Sequence, residues 1–284
     1  MTPLIGPIEA PGLHVMTLNV RRPLPVTWRA ADQWTRRRPL LAELLSRERP
    51  TLLAAQEVVP AQASVISAAL GPTYRRIGAG RTRDRSGRLR GEATPLFFDA
   101  DRLSVERWSQ RALSDRPDDP GSLGWGNPLP RTLVEAVFRD RKTGARFLAI
   151  GTHLDVFSAR ARLRSAAAIR DLIAARGAGI PAVVLGDLNA GPGSPPVRSL
   201  LADGVLRDAW PAAARHRTPE WGTYAAYRPP RTAKPRIDAV LVGPGVTVDE
   251  IAIGGDRVAG GWPSDHLPVQ AILRLDDAPR GEEG

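Results

Sequence analysis

The sequence of 284 residues contains no cysteine. This absence excludes disulfides, thiolate metal sites and a cysteine nucleophile. The sequence also lacks any run of about 18 consecutive apolar residues, so it predicts no membrane-spanning helix. The opening segment, MTPLIGPIEAPG, has neither a basic part nor a long apolar part and does not resemble a secretory signal. We therefore expect a cytoplasmic protein.

Lysine is scarce as well, since Lys142 and Lys234 are the only ones, and arginine supplies almost all of the positive charge. The formal net charge is +10. A basic surface favours polyanionic partners such as nucleic acid, phosphoinositides or anionic lipid heads. A general bias of the composition towards alanine, arginine and proline explains the charge equally well, so both interpretations stay open.

The apolar content is sufficient for one large core. Hydrophobic residues make up 42 %, and 27 glycines and 27 prolines indicate many turns. No linker divides the chain. We expect a single domain over residues 1–284, with short tails at 1–11 and 276–284.

Apolar patterns predict more strands than helices. Strands are predicted at 13–19, 51–57, 74–80, 94–98, 103–111, 131–138, 146–153, 182–185, 237–242 and 267–275. Helices are predicted at 30–47, 61–70 and 158–176. The segments 81–91 and 115–130 are predicted to be loops, the first of them mobile. This order suggests packed sheets flanked by helices.

Polar side chains stand at the ends of several of these strands. They are Asn19, Glu57, His153, Asp155, Asp187, Asn189, Asp238, Asp265 and His266. Because residues i and i+2 of an extended segment point the same way, we expect Asp187 and Asn189 to face one site, with Leu188 in the core. Carboxylates gathered in one place are tolerable if a hard cation neutralises them, and carboxylate and amide oxygens suit Mg²⁺ or Mn²⁺.

Each of these residues alone also has a purely structural interpretation. An Asp-x-Asn after a strand often forms a turn through side-chain bonds to the backbone. In the same structural interpretation, Glu57 is a surface acid and His153 is a hydrogen-bonded polar residue. The pair Asp265-His266 forms a cap before Pro268. The ordered combination is what indicates a catalytic set.

That ordered set, with GDLN at 186–189 and SDHLPV at 264–269 as its specific motifs, resembles the endonuclease/exonuclease/phosphatase superfamily. The match runs from Asn19 to His266. The resemblance implies a four-layer αββα sandwich of the deoxyribonuclease I-like type, in which two mainly antiparallel sheets lie between helices. It also implies phosphoester hydrolysis that depends on Mg²⁺ or Mn²⁺.

The resemblance further implies a role for each matching residue. Glu57 is the main metal ligand, and Asn19 helps to hold the metal or the phosphate. Asp187 and His266 position and activate the attacking water, with Asp265 on the metal or orienting the ring. The remaining roles are Asn189 as a donor to a phosphate oxygen, His153 as a donor to the phosphate or to the leaving oxygen, and Asp238 as the partner that orients His266.

Two residues match less specifically. Glu92, in GEATPLFF, resembles a glutamate that braces the first histidine, and Arg131, in PRT, resembles an arginine that reaches the substrate phosphate. A surface acid and a solvated loop arginine are the alternatives. Arg21 stands where abasic-site enzymes of the superfamily commonly carry an acid, which weakens that assignment.

A metal on Glu57 would neutralise the charge of the phosphoester, and a histidine beside a carboxylate is suited to proton transfer. The residues do not name the substrate, because the superfamily differs mainly in its loops. We expect a monomeric phosphodiesterase or nuclease acting on nucleic acid. The alternatives are a phosphatase or phosphodiesterase on inositol phosphates or lipid head groups, and a catalytically silent module that binds nucleic acid.

Overall fold

The computed structural model describes residues 2–177 and 179–276. Its strands are β1 Leu13–Asn19, β2 Leu52–Gln56, β3 Tyr74–Ile77, β4 Gly80–Arg83, β5 Leu89–Ala93, β6 Leu96–Asp99, β7 Leu103–Ala112, β8 Thr132–Asp140, β9 Arg146–His153, β10 Ala182–Asp187, β11 Arg207–Asp208, β12 Arg215–His216, β13 Asp238–Val242, β14 Val246–Ile253 and β15 Val269–Leu275. Its α-helices are α1 Trp34–Glu48, α2 Pro60–Leu70, α3 Ala159–Ala175, α4 Pro195–Leu201 and α5 Ala209–Ala212.

Two large sheets are formed, and both are mainly antiparallel. The first has the order β12-β14-β15-β1-β2-β6-β3, and the second has the order β11-β13-β10-β9-β8-β7. Parallel pairs occur between β1 and β2, between β9 and β10, and between the short strand β12 and β14. The strands β4 and β5 pair only with each other, as a hairpin.

Three apolar clusters fix the order of the layers. The largest lies between the sheets, where Val15 of β1 and Leu185 of β10 belong to the same cluster. A second cluster lies between the second sheet and α3, with Ile169, and a third lies between the first sheet and α1 and α2, with Leu41 and Ile66. The layers therefore run helix, sheet, sheet, helix, and the predicted sandwich is confirmed.

Strand polarity explains why distant residues meet. Asn19 and Gln56 are opposite each other at the carboxyl ends of β1 and β2. In the other sheet, Asp187 is opposite both His153 at the end of β9 and Asp238 at the start of β13. Because parallel neighbours end on the same edge of a sheet, these polar ends collect at one end of the sandwich.

Several sequence expectations need correction. The predicted loop 81–91 lies mostly within the β4–β5 hairpin. The predicted helix 30–47 is a 3₁₀ turn at Ala30–Asp32 followed by α1, because Gln33 is extended between them. The helix α4 and the strand β14 were not predicted.

The N-terminal segment, predicted as a short tail, is bonded to the end of α1. The backbone N–H groups of Leu4, Ile5 and Gly6 donate to the carboxylate of Glu48. The side chain of Ile5 is buried against Ile272. Most of the second predicted tail, residues 277–284, lies outside the described residues. None of the described helices combines the length and the apolar character needed to span a bilayer.

Candidate active site

A cleft of about 520 Å³ opens at the end of the sandwich where the polar strand ends collect. All but one of the predicted site residues line it: Asn19, Glu57, Glu92, Arg131, His153, Asp187, Asn189, Asp265 and His266. The exception, Asp238, lies fully buried beneath the cleft and contacts His266. The structure therefore brings together residues from both sheets in one place.

His266 is held in a fixed orientation. Its Nδ1 lies 2.9 Å from Asp238 Oδ2, so Nε2 is the ring nitrogen that remains to meet a substrate or a water. Burial alone would lower the pKa of His266, but the carboxylates of Asp238 and Asp187 raise it to about 10. The imidazole is therefore protonated at neutral pH in the absence of a bound cation.

Asp238 is positioned in turn by Thr223. The hydroxyl of Thr223 accepts hydrogen bonds from the backbone N–H groups of Ile237 and Asp238, both at 3.0 Å. Its carbonyl accepts a bond from Leu267 N–H. Thr223 thus ties the start of β13 to the segment that carries His266, and nothing in the sequence pattern had indicated it.

Asn19 connects the carboxylates of Glu57 and Asp187. Its Nδ2 donates to Glu57 Oε1 and to Asp187 Oδ2, both at 3.1 Å, while its Oδ1 accepts from Arg21 N–H. The reverse orientation of the amide would place an oxygen against two carboxylates. The amide oxygen of Asn19 therefore points to the Arg21 backbone, and its NH₂ group orients Glu57 and Asp187.

Asp187 is fully enclosed at the end of β10. Burial and the neighbouring Asp238 raise its pKa. Its Oδ1 accepts a bond from Asn189 N–H at 2.9 Å, and its Oδ2 lies 3.6 Å from His153 Nε2. Asp187 therefore stands at the centre of the polar network.

Three residues at this site have left-handed backbone conformations that are uncommon outside glycine. They are Arg21 with φ 54°, Glu57 with φ 61° and Asn189 with φ 47°. Such strain persists only where the surroundings fix it, and it is concentrated at functional sites. The conformation of Asn189 also corrects a sequence expectation, namely that Asp187 and Asn189 are both part of an extended strand. The strand β10 ends at Asp187, and a turn directs Asn189 to the cleft.

His153 differs from His266 in its surroundings. Burial, together with the charges of Arg131 and Arg81, holds the pKa of His153 well below its ordinary value. The ring is therefore neutral without substrate and presents one N–H donor. The two histidines of the cleft thus carry different charges.

Four arginines line the cleft, namely Arg21, Arg22, Arg81 and Arg131. Arg131 Nε lies 3.3 Å from buried Asp155 Oδ2, whereas its buried Nη1 has no hydrogen-bond partner among the described residues. The sequence had indicated Arg131 but not Arg22 or Arg81. Two arginine-rich segments, RR at 21–22 and RTR at 81–83, were the available signals.

Glu92 lies in the cleft, but its expected contact with a histidine is replaced by ion pairs. Its carboxylate lies 2.9 Å from Arg81 and 3.2 Å from Arg22. The side chain of Glu92 is mostly buried, so these pairs fix both arginines at the side of the cleft formed by the β4–β5 hairpin.

The β4–β5 hairpin and the loop 115–130 together form one wall of the cleft. Arg83 lies 4.0 Å from Asp119, and the backbone of the hairpin approaches Gly121. The rim of the cleft carries exposed apolar side chains, Leu129, Val156 and Phe157. A substrate would meet cations inside the cleft and apolar surface at its entrance.

Two groups of side chains could hold a cation. One is Asp187, Asp238 and His266, whose ligand atoms lie within 4.8 Å of one another. The other is Glu57 and Asp265, which both line the cleft. Burial raises the pKa of Asp265, and the charge of Glu57 adds to this effect. A cation at the second group would relieve this repulsion without breaking the bond between His266 and Asp238.

The sequence matches the family model described as "Endonuclease/Exonuclease/phosphatase family" over residues 16–266. The chain belongs to this family. Members of the family and the structural neighbours are phosphoester hydrolases, and this chain is one too. The family generally depends on divalent metal ions. No curated protein shows a significant match.

Solved structures agree with the family assignment. A mannosyl-6-phosphatase from Bacteroides thetaiotaomicron is 28% identical, with a TM-score of 0.85, and the match covers 93% of this chain and 100% of that one. An endonuclease/exonuclease/phosphatase from Bacteroides vulgatus is 30% identical, with a TM-score of 0.85 and coverage of 93% and 99%. TDP2 from D. rerio with a single-strand DNA product is 16% identical, with a TM-score of 0.66 and coverage of 93% and 100%, which shows the fold alone.

Proposed function

We propose that this member of the family is a Mg²⁺- or Mn²⁺-dependent hydrolase of compact phosphoesters, with a phosphorylated sugar or polyol as the substrate class. One observation carries the proposal: the carboxylates and histidines of the site and four arginines line the same cleft. The hairpin and the loop 115–130 form one wall of this cleft. Arginines in such a cleft favour the binding of an anionic phosphoester.

Glu57 and Asp265 would hold the cation, since hard divalent cations prefer oxygen ligands and these two acids share the cleft. The cation would supply Lewis-acid neutralisation of the phosphate charge. Asn19, expected from the sequence to help hold the metal or the phosphate, donates its NH₂ group to Glu57 and so orients that carboxylate.

Asp187 accepts a proton from the attacking water. Its raised pKa brings it closer to neutral pH, which makes a carboxylate a better base. As the water oxygen bonds to phosphorus, the ester P–O bond breaks. The protonated ring of His266, fixed by Asp238, offsets the negative charge that collects beside Asp187.

The remaining groups bind the phosphate. The unpartnered Nη1 of Arg131 supplies a buried, charged donor, and Asn189 is held at the same cleft by a bond from its Nδ2 to Leu154 O. A bound phosphate would offset the charges of Arg81 and Arg131, and the pKa of His153 would rise. His153 would then take up a proton from solvent and give it to the leaving oxygen, and Asp187 would release to solvent the proton that it took from the attacking water.

A phosphodiesterase acting on nucleic acid is the second candidate, as the sequence had favoured. The net charge of +10 and the half-exposed ring of Tyr224 at the cleft support it. The mannosyl-6-phosphatase, similar along its whole length, supports the first candidate.

A monomeric state and a cytoplasmic location stay predictions.

A substrate panel separates the candidates. Hexose 6-phosphates, inositol phosphates, sphingomyelin and a single-stranded oligonucleotide would each be incubated with Mg²⁺, with Mn²⁺ and with a chelator. We expect metal-dependent release of inorganic phosphate from the hexose phosphates. Cleavage of the oligonucleotide alone would transfer the assignment to the second candidate. Metal-independent binding without any product would support a silent binding module.

A further inference from the structure

A second cavity lies beside the active-site cleft. Its volume is about 350 Å³, and it shares Tyr224 and Ile237 with the cleft. Tyr224 lies at the border of the two spaces, since it lines both. Its side chain is half-exposed, and its ring centroid lies 5.2 Å from that of His266. A ligand that extends from the cleft past Tyr224 would enter this second cavity.

Three cations line the second cavity: Arg228, Arg231 and Lys234. None of them forms an ion pair with a carboxylate within the part of the chain that the structure describes. Arg236, two residues beyond Lys234, pairs with both Asp208 and Glu220. The cavity therefore holds uncompensated positive charge, which favours an anionic ligand.

Backbone contacts fix the segment that forms the cavity. Gly222 N–H donates to Arg231 O at 2.9 Å. A side chain at Gly222 would not fit, because a Cβ there would lie 2.4 Å from Lys234 Cβ. Ala225 and Ala226 both donate from their backbone N–H to Asp265 O at 2.9 Å. The cavity is thus anchored to the segment that carries Asp265 and His266.

We propose that this second cavity binds a second anionic group of the substrate, a phosphate or a carboxylate that is not hydrolysed. The inference rests on the proposed function and narrows its substrate class to small molecules with two anionic groups, such as a bisphosphorylated sugar. The reacting phosphate lies in the cleft, and the second group lies beyond Tyr224 among the three cations.

Kinetics on a matched pair of substrates test the proposal. Glucose 1,6-bisphosphate and glucose 6-phosphate differ only in the second phosphate. The protein should prefer the bisphosphate at least about tenfold in kcat/KM, and the double variant Arg228→Gln/Arg231→Gln should reduce this ratio at least about tenfold through KM. Arg107→Gln, which removes an exposed arginine on β7 that lines neither cavity, should leave the ratio unchanged.

A binding measurement separates failure of this proposal from failure of the proposed function. Calorimetric titration of the metal-free protein with the same two sugars needs no hydrolysis. Tighter binding of the bisphosphate that is lost in the double variant supports the second anion site even if neither sugar is hydrolysed. Equal affinities for the two sugars, or a preference that the double variant retains, would overturn it whatever the catalytic activity is.

Discussion

The guanidinium of Arg131 is buried and only partly satisfied. Nε pairs with Asp155, while Nη1 has no partner among the described residues. Arg102 offers a useful comparison, because it is also buried and contacts both oxygens of Asp140 at 2.7 Å. Arg131 thus keeps a buried donor free for a ligand, whereas Arg102 makes three hydrogen bonds within the fold.

Replacing each of these arginines by lysine keeps the charge but removes the fork of donors. We expect both variants to lose about 1.5–3 kcal/mol of unfolding free energy from weakened hydrogen bonds to a carboxylate. Only Arg131→Lys should raise KM, by at least about tenfold, because it also loses a donor to the substrate phosphate. Urea unfolding and steady-state kinetics measure the two effects, and an equal KM change in Arg102→Lys would contradict the assignment.

Glu57 is held in a strained conformation with its carboxylate already oriented. Burial alone would raise its pKa, but bonds from Arg22 N–H and Asn19 Nδ2 lower it, so the carboxylate is charged before any ligand binds. A charged, fixed oxygen ligand in a cleft is suited to a divalent cation.

Glu57→Gln should therefore weaken Mn²⁺ binding at least about tenfold, because a neutral amide replaces the charged ligand. Calorimetric titration with MnCl₂ measures the affinity. The matched control is Glu43→Gln, which changes a half-exposed glutamate on α1 that does not line the cleft. Unchanged Mn²⁺ affinity in Glu57→Gln would exclude Glu57 as a ligand.

Among the secondary-structure elements, those with uninterrupted patterns could be predicted closely. The strands β1 and β9 begin and end at the predicted residues, and α3 differs by one residue at each end. The strand β14 was missed because a bulge between Val248 and Glu250 shifts the alternation of its apolar residues. After the bulge, the buried residues no longer fall on the same alternate positions as before it. The two-residue alternation from which strands are predicted is therefore not visible in this segment.

The β4–β5 hairpin was missed for a different reason. Half of the residues at 80–93 are charged and three are glycines, and such residues have little preference for strands. Ion pairs stabilise it instead, between Asp84 and Arg90 and between Arg81 and Glu92. The active site was likewise predictable only in part. Its polar residues could be recognised in the sequence. The role of Thr223, the turn at Asn189 and the ion-pair partners of Glu92 could not, because they depend on contacts between distant segments.

Pairing of β1 with β15 buries a polar pair away from the active site. His14 Nε2 lies 2.8 Å from Gln270 Oε1, and neither side chain is exposed. Burial lowers the pKa of His14 to about 4 from an ordinary value of 6.5, although the charge of Glu48 opposes this effect. The folded protein therefore holds His14 neutral at a pH where the unfolded chain would protonate it.

Stability should fall as the pH decreases from about 6.5 towards about 4, because in this window the unfolded state binds a proton that the folded state excludes. The expected loss from His14 is up to about 3 kcal/mol. Urea unfolding at pH 7 and pH 4.5 should show a smaller pH-dependent loss in His14→Gln than in the wild type. The control is His216→Gln, at an exposed position. A pH dependence that His14→Gln leaves unchanged would refute this account.

We expect the molecule as a whole to fold without the metal. Three apolar clusters hold the four layers together, and the cleft lies at one end of the sandwich, outside these clusters. A cation bound only in the folded state should still stabilise it, by about 2.7 kcal/mol at a concentration one hundred times its Kd.

Removing the metal should accordingly abolish hydrolysis and leave the fold intact. Circular dichroism with excess chelator should match the spectrum with Mg²⁺, and Mg²⁺ should raise Tm in the wild type but not in Glu57→Gln. Loss of secondary structure on chelation would indicate a structural metal site elsewhere.

The central claim is that side chains from both sheets form one hydrolytic site around Asp187. The most direct test is the rate of phosphate release by Asp187→Asn, which keeps the shape of the side chain and removes the base. We predict that kcat falls at least about 100-fold, with a circular dichroism spectrum and Tm close to those of the wild type. A folded Asp187→Asn protein that hydrolyses the substrate at the wild-type rate would contradict the account.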